Sequence, residues 1–249
     1  YALLKSLRSS HRFIWLFWGG IIAGLGILCR PTLLPFIVLT IGWLAIDPSK
    51  NKQYFKSVLV FIIPIVLVIF PWELRNYRVL GKIIPITSAG GANLYIANNP
   101  VSTGEAVGYR ELMDAGVFHL GEEEDEIEYN RIYRDKALAL INDNPGRFIR
   151  LAFKRLLWFY QLDYHYHGNP VFVIIFHILL LLAFIGLWLS RFHWRNALLL
   201  VLVILNFTVV HMIFPPNSRY NLPVVPFLLA FAAIPIVQSL KYLRIKHFK

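Results

Sequence analysis

Acidic residues are almost missing from most of this chain: of 14 Asp and Glu in 249 residues, only Asp47 lies outside the stretch from Glu73 to Asn169. A water-facing surface mixes charges of both signs, so long stretches with no carboxylate belong to something other than a soluble domain. Cysteine is equally scarce. Cys29 stands alone, which excludes an internal disulfide and a cysteine zinc ribbon. Charged residues make up only 16% of the chain against 57% hydrophobic residues, and the mean hydropathy is +0.56. No glycine-rich phosphate loop opens a helix after a strand, so nothing points to a nucleotide-sugar site of that kind. What is present describes an integral membrane protein. Its net charge of +11 then bears on membrane orientation before it bears on nucleic acid, and no nucleic-acid partner is expected.

Six uncharged apolar runs are expected to cross the bilayer: Phe13 to Leu28, Pro31 to Ile46, Ser57 to Trp72, Val171 to Ser190, Ala197 to Phe214 and Leu222 to Leu240. The first two are shorter than the roughly 20 residues a full crossing needs, so they read as thin, re-entrant or completed by polar ends. Basic residues sort into four segments. Lys5, Arg8 and Arg12 precede the first run, Lys50, Lys52 and Lys56 follow the second, Arg191 and Arg195 separate the fourth from the fifth, and Lys241, Arg244, Lys246 and Lys249 close the chain. Six crossings bring all four to one face, which the positive-inside rule makes cytoplasmic. The chain begins at Tyr1 with no signal peptide in view and reads as a fragment.

The long segment between the third and fourth runs collects 13 of the 14 acids and reads as a water-facing domain on the opposite face. Its first part, rich in Gly, Asn, Pro and β-branched residues, reads as strand and loop. From Glu122 to Leu140 helix formers dominate, with Asn142, Asn144, Pro145 and Gly146 as the stop. The run Glu122, Glu123, Glu124, Asp125, Glu126 suits the solvated first turn of that helix, and it lacks the fixed ligand spacing of a metal site. Residues 147–160, RFIRLAFKRLLWFY, set Arg147, Arg150, Lys154 and Arg155 among large apolar side chains and predict an interfacial helix. A plain anchor and a substrate-guiding surface fit that pattern equally. The expected domains are residues 1–72, 73–146, 147–169 and 170–249.

Arginines at the ends of the apolar runs on the acidic face break the charge rule: Arg30, Arg75, Arg78 and Arg219. Any one of them could snorkel to headgroups or pair with Glu73 and nearby carbonyls. As a set, their guanidinium forks suit the phosphate of a lipid-linked substrate. Between Arg75 and Pro100 the polar residues are amides, glycines and hydroxyls. Gly90 and Gly91 allow a tight turn, and Asn93, Asn98 and Asn99 suit sugar hydroxyls or pyrophosphate, although an Asn-rich turn more often bonds to itself.

The segment RNYRVLGKIIPITSAGGANLYIANNP, together with CRPTLLPF, NPGRFIRLAFKRLLWFY and SRYNLPVVPFLLAFAA, resembles the bacterial branch of the family 39 glycosyltransferases, relatives of the protein O-mannosyltransferases and lipid A aminoarabinose transferases. The likeness covers nearly the whole chain but only the carboxy-terminal part of the family's architecture, and Ala97 stands where many members have Gly. It implies an all-α polytopic GT-C fold with about six membrane helices here, a mixed extracytoplasmic loop domain and an interfacial amphipathic helix. The implied activity moves a sugar from a polyprenyl-phosphate donor to a glycan, lipid or protein acceptor outside a bacterial inner membrane. The carboxy terminus would be cytoplasmic and residues 73–169 extracytoplasmic. Arg75, Arg78, Arg219, Tyr220 and Arg30 would hold the donor phosphate. Asn76, Tyr77, Gly91, Asn93, Tyr95, Asn98 and Asn99 would shape the sugar or acceptor pocket. The family's catalytic acid belongs to an upstream loop, and Glu73, Glu105 and Asp114 do not inherit its role. No cofactor is assigned, and a divalent cation is left open.

Two other classes compete. A flippase for lipid-linked sugars would also use outward arginines, but no Asp, Glu, Lys or Arg lies inside the six runs to couple ions. A non-catalytic lipid-binding subunit of an envelope complex is the second. His165 and His167 form an HxH that reads as an interfacial loop rather than a metal pair, and the sequon from Asn206 to Thr208 lies inside the fifth run. His177 and His211 lie within or at the ends of spans, where an ionisable group is by default a functional hypothesis, although neutral imidazoles bonding a neighbouring helix need no such role.

Overall fold

The computed structural model describes residues 1–46, 53–84, 86–105, 109–114, 116, 125–162, 169–215 and 217–247. Every regular element among the described residues is helical. In chain order these are α1 (Ala2–Arg8), α2 (Arg12–Cys29), α3 (Leu34–Ala45), α4 (Tyr54–Leu80), α5 (Gly90–Asn98), α6 (Tyr109–Asp114), α7 (Glu126–Asp143), α8 (Pro145–Phe159), α9 (Pro170–Leu189), α10 (Trp194–Ile213) and α11 (Val225–His247). The chain divides into two compact units, Tyr1–Ser102 with Val107–Pro145, and Thr103–Ala106 with Gly146–Lys249. Asp47, Lys50, Lys52, Glu122 to Glu124, His165, His167 and Lys249, named above, lie outside the described residues.

The all-α membrane character is borne out, with a correction to the number of full-length spans. Five described helices are long and apolar enough to cross a membrane: Arg12–Cys29, Tyr54–Leu80, Pro170–Leu189, Asn196–Ile213 and Arg219–Tyr242. The second run instead forms a short 3₁₀ turn, Pro31–Leu33, and α3 of 12 residues. At 1.5 Å per residue α3 is about 18 Å long, well short of a hydrocarbon core of about 30 Å.

The packing of α2 on α4 still requires a return journey between them. A Cβ on Gly20 would run into the carbonyl of Phe61, and one on Gly24 would sit 2.9 Å from Cβ of Val68. At the start of both helices Lys56 lies 4.5 Å over the ring of Phe13. Contacts that advance together along both sequences mean that α2 and α4 are parallel, and α3 makes the return, with Leu33 and Ile37 near Ile27 and the Ile41 carbonyl accepting from the Tyr54 hydroxyl at the start of α4. The apolar seam of Ile27, Phe61 and Ile65 closes this packing, with Leu33, Ile37 and Ile69 against it.

Two further expectations are corrected in the first unit. Helix α4 does not stop at Trp72 but continues through Leu80, because residues 73–80 include the helix formers Glu, Leu and Arg. It ends at Gly81, whose φ of +66° is the left-handed conformation that closes many helices, with its N–H donating to Tyr77 O at 2.9 Å. The segment read as strand and loop contains α5, and no described residue of it is strand. Helix α5 packs on α7 through Ala92, Tyr95 and Ile96 against Tyr133 and Ala137, with Leu112 of α6 completing the core. Asp125 caps α7 by accepting from Ile127 N at 3.1 Å, and Glu126 and Glu128 stand in its first turn, so the helix starts at Glu126 rather than Glu122 and runs on to Asp143, with Asp125 as its cap and not part of its first turn. Pro145 then starts α8, where its missing N–H costs nothing.

In the second unit α9 and α11 approach backbone to backbone: a Cβ on Gly186 would overlap the carbonyl of Phe231. Small residues are what allow such closeness between membrane helices. A 3₁₀ turn, Ser218–Val224, leads into α11, and its Asn217 cap accepts from Arg219 N at 3.2 Å.

Candidate functional site

The end of α4 beyond the apolar run carries the first group of expected site residues. Asn76 is buried and accepts from Arg75 Nη1 at 3.1 Å, while the Arg75 guanidinium stands 5.3 Å from the centroid of the Trp72 ring. One bond and one cation–π contact therefore hold this cation at the apolar boundary. Arg78, three residues on and also exposed, sits in the last turn, where positive charge suits the helix dipole. Tyr77 is exposed. Arg30 is exposed at the C-cap of α2.

The connection from Gly81 to Ala89 is tied down on two sides. Glu73 Oε1 accepts from Ile86 N at 2.8 Å. Lys82 Nζ lies 2.7 Å from Asp125 Oδ2, and the Ser88 hydroxyl bonds the Glu126 carboxylate. The donation from Lys82, and next the Ile127 N–H, hold the Asp125 carboxyl below its usual range. Ile86 has φ of +70°, a conformation a β-branched residue rarely takes and one costing about 1–3 kcal/mol. Its side chain packs against the seam of Ile27, Phe61 and Ile65, which together with the Glu73 bond offsets that strain.

The residues expected to shape a sugar pocket lie on α5 and its C-cap. Gly91 lets α5 touch α7: its N–H donates to Asn130 Oδ1 at 2.5 Å, and an added Cβ would overlap the Asn130 carbonyl. Tyr95 is buried against Tyr133, with ring centroids 5.0 Å apart, and burial first, then the Tyr133 hydroxyl, pushes its phenol up. Asn98 Nδ2 donates to Leu94 O at 2.9 Å and Asn99 Nδ2 to Ile96 O at 2.8 Å, while Asn99 Oδ1 accepts from Val101 N. These buried amides close the helix's C-terminus, the self-bonding alternative raised by the sequence. Asn93 is half-buried.

The second unit holds Arg219 and Tyr220 in the 218–224 turn. Arg219 is exposed, whereas Tyr220 stacks on His211 at 4.7 Å and 20°, and His211 stacks on Phe159 at 5.6 Å and 19°. Around this ladder Asn221 Nδ2 donates to Phe159 O at 3.0 Å, and the Tyr160 hydroxyl bonds Thr208 Oγ1 at 2.7 Å. Arg155 is 0% exposed and donates from Nε to Met212 O at 2.7 Å, capping a carbonyl in the last turn of α10. Desolvation, with the Arg147 charge second, lowers its guanidinium to about 10, still protonated at neutral pH. Burial pushes the Tyr160 phenol up. Arg155 is thus a correction: the sequence grouped it with the headgroup-facing cations of α8. Its helical phase carries the missed signal, because 155 shares an arc with Leu151, Ala152 and Phe159. Asn221 carried no comparable signal. The sequon at Asn206 is 2% exposed, inside α10.

Among the described residues no three His, Cys, Asp or Glu side chains gather as a metal site. No known protein family, curated protein or solved structure matches this chain.

Proposed function

We propose that this chain is the carboxy-terminal part of a membrane glycosyltransferase of the GT-C kind, moving a sugar from a polyprenyl-phosphate donor to an acceptor on the extracytoplasmic side. The observation that carries the reading is Arg75. A guanidinium fixed by Asn76 and Trp72 at the end of the apolar part of α4, with Arg78 one turn on, is suited to a phosphate carried on a lipid chain. Arg219 in the other unit stands at the start of an apolar span in the same way. The motifs running from RNYR to ANNP and in SRYNLP support the same assignment by their resemblance to family 39.

In the expected mechanism an upstream carboxylate activates the acceptor for single displacement at the anomeric carbon, and the arginines stabilise charge growing on the departing lipid phosphate. Transfer of labelled sugar from a polyprenyl-phosphate donor, in membranes containing the full-length protein, tests this, and this chain without the upstream part is expected to be inactive. Arg75→Ala and Arg219→Ala are expected to lower transfer by about 10²–10³-fold, the usual cost of losing one preorganised charge-stabilising group. Full transfer by both variants would return the arginines to ordinary headgroup anchoring.

A further inference from the structure

Turning about 100° per residue, helix α8 presents three arcs. Leu151, Ala152, Arg155 and Phe159 form the arc buried in the second unit. Beside it runs an exposed apolar arc in which Ile149 is 66% and Phe153 55% exposed, one turn apart. The third arc is basic, with Arg150 exposed and Arg147 and Lys154 half-buried. The C-terminal part of the helix is fastened to residues at the end of an apolar span, through Arg155 to Met212, Phe159 to His211 and Tyr160 to Thr208. That anchorage puts α8 at the height where a bilayer gives way to water.

We propose that the outward face of α8 is a docking surface for anionic phospholipid, with Ile149 and Phe153 entering the acyl boundary and Arg150 and Lys154 on headgroup phosphates. Two observations select a lipid surface as the occupant. The cations adjoin the exposed apolar arc on one side, the order that headgroup and acyl chain demand of an interfacial helix. The helix is also continuous with the membrane spans through its buried arc. This inference is independent of the sugar-transfer reading, and it excludes Arg155, whose charge is spent on α10.

The test uses the full chain with Cys29→Ser, carrying a polarity-sensitive fluorophore at Phe153→Cys and, separately, at Ile149→Cys. It is reconstituted in nanodiscs of phosphatidylcholine with phosphatidylglycerol, and each labelled protein is checked for unchanged melting. Both labels are expected to be quenched by spin-labelled acyl chains and shielded from aqueous iodide. Phosphatidylglycerol titrated into the detergent-solubilised protein is expected to bind about five-fold more weakly for each of Arg150→Gln and Lys154→Gln, and about 25-fold more weakly for the pair. Labels quenched by iodide and not by spin-labelled lipid would overturn the proposal. So would equal binding of phosphatidylcholine and phosphatidylglycerol, or shielding that follows protein concentration rather than lipid, which would mark a second copy of the chain as the occupant.

Discussion

Adding one methyl group to Gly91 separates its packing role from a role in a sugar pocket. The new Cβ would overlap the backbone carbonyl of Asn130 and lie 2.7 Å from Arg134 Cβ. A backbone oxygen cannot swing aside as a side-chain tip can, so α5 must shift off α7, straining the Gly91 N–H bond to Asn130 as well. Overpacking of this kind costs about 1–3 kcal/mol, and replacing glycine in a helix returns up to about 1 kcal/mol. With the steric cost at its upper end because the obstacle is backbone, Gly91→Ala should lose about 2 kcal/mol. That is a fall in Tm of about 4–8 °C on the scale of a domain of this size. Gly90→Ala is the internal control. A Cβ there meets nothing within 4 Å, so the variant should melt at or slightly above the parent temperature. Scanning fluorimetry on the purified protein, with hydrogen exchange across α5 to localise the effect, reads both. A Gly91→Ala protein that melts with Gly90→Ala, with α5 equally protected, would refute the packing argument and leave Gly91 to a ligand.

Glu73→Ala should free the connection after α4, since a hydrogen bond to a charged group is worth about 1.5–3 kcal/mol, comparable with the strain it offsets at Ile86. Amides in 81–88 should exchange about 10–100-fold faster, whereas Glu73→Gln, which keeps an acceptor for Ile86 N, should change little. Arg155→Ala should destabilise the second unit by about 2–5 kcal/mol, as large core truncations do, and expose α8 to proteolysis, while Lys154→Ala should not. Asp125 has a folded pKa below its unfolded value, so its contribution is present above the ordinary carboxylate range and is lost as pH falls through the lowered folded value. Accordingly Asp125→Ala should melt below the parent at neutral pH, and the gap should close in acid.

The membrane helices were legible because lipid leaves a chain little freedom. A backbone with no water to bond must satisfy itself along one segment, so an uncharged apolar run of sufficient length commits to a helix whatever its neighbours do. The existence of α7 was legible for a similarly local reason, a run of helix formers with acidic residues before it, although its cap at Asp125 put the start four residues later than expected. Helix α5 was not. GGANLYIAN opens with two poor helix formers and holds two asparagines, with a third, Asn99, as its C-cap, and its local preferences favour a turn. Contact with Tyr133, Ala137 and Asn130 reverses that preference, and those residues lie some 40 positions away.

Composition and pattern alone therefore determined that this is a helical membrane protein with an acidic insertion between its apolar runs, because hydration and backbone bonding act on each stretch separately. Only the tertiary structure decided that a helix too short to span carries the chain back so that α2 and α4 are parallel. It alone placed the Met212 carbonyl where the inward-facing Arg155 needs an acceptor. Each of these depends on what a distant segment places at the same point in space, a carbonyl of Phe61 or of Met212, and no local propensity contains that information.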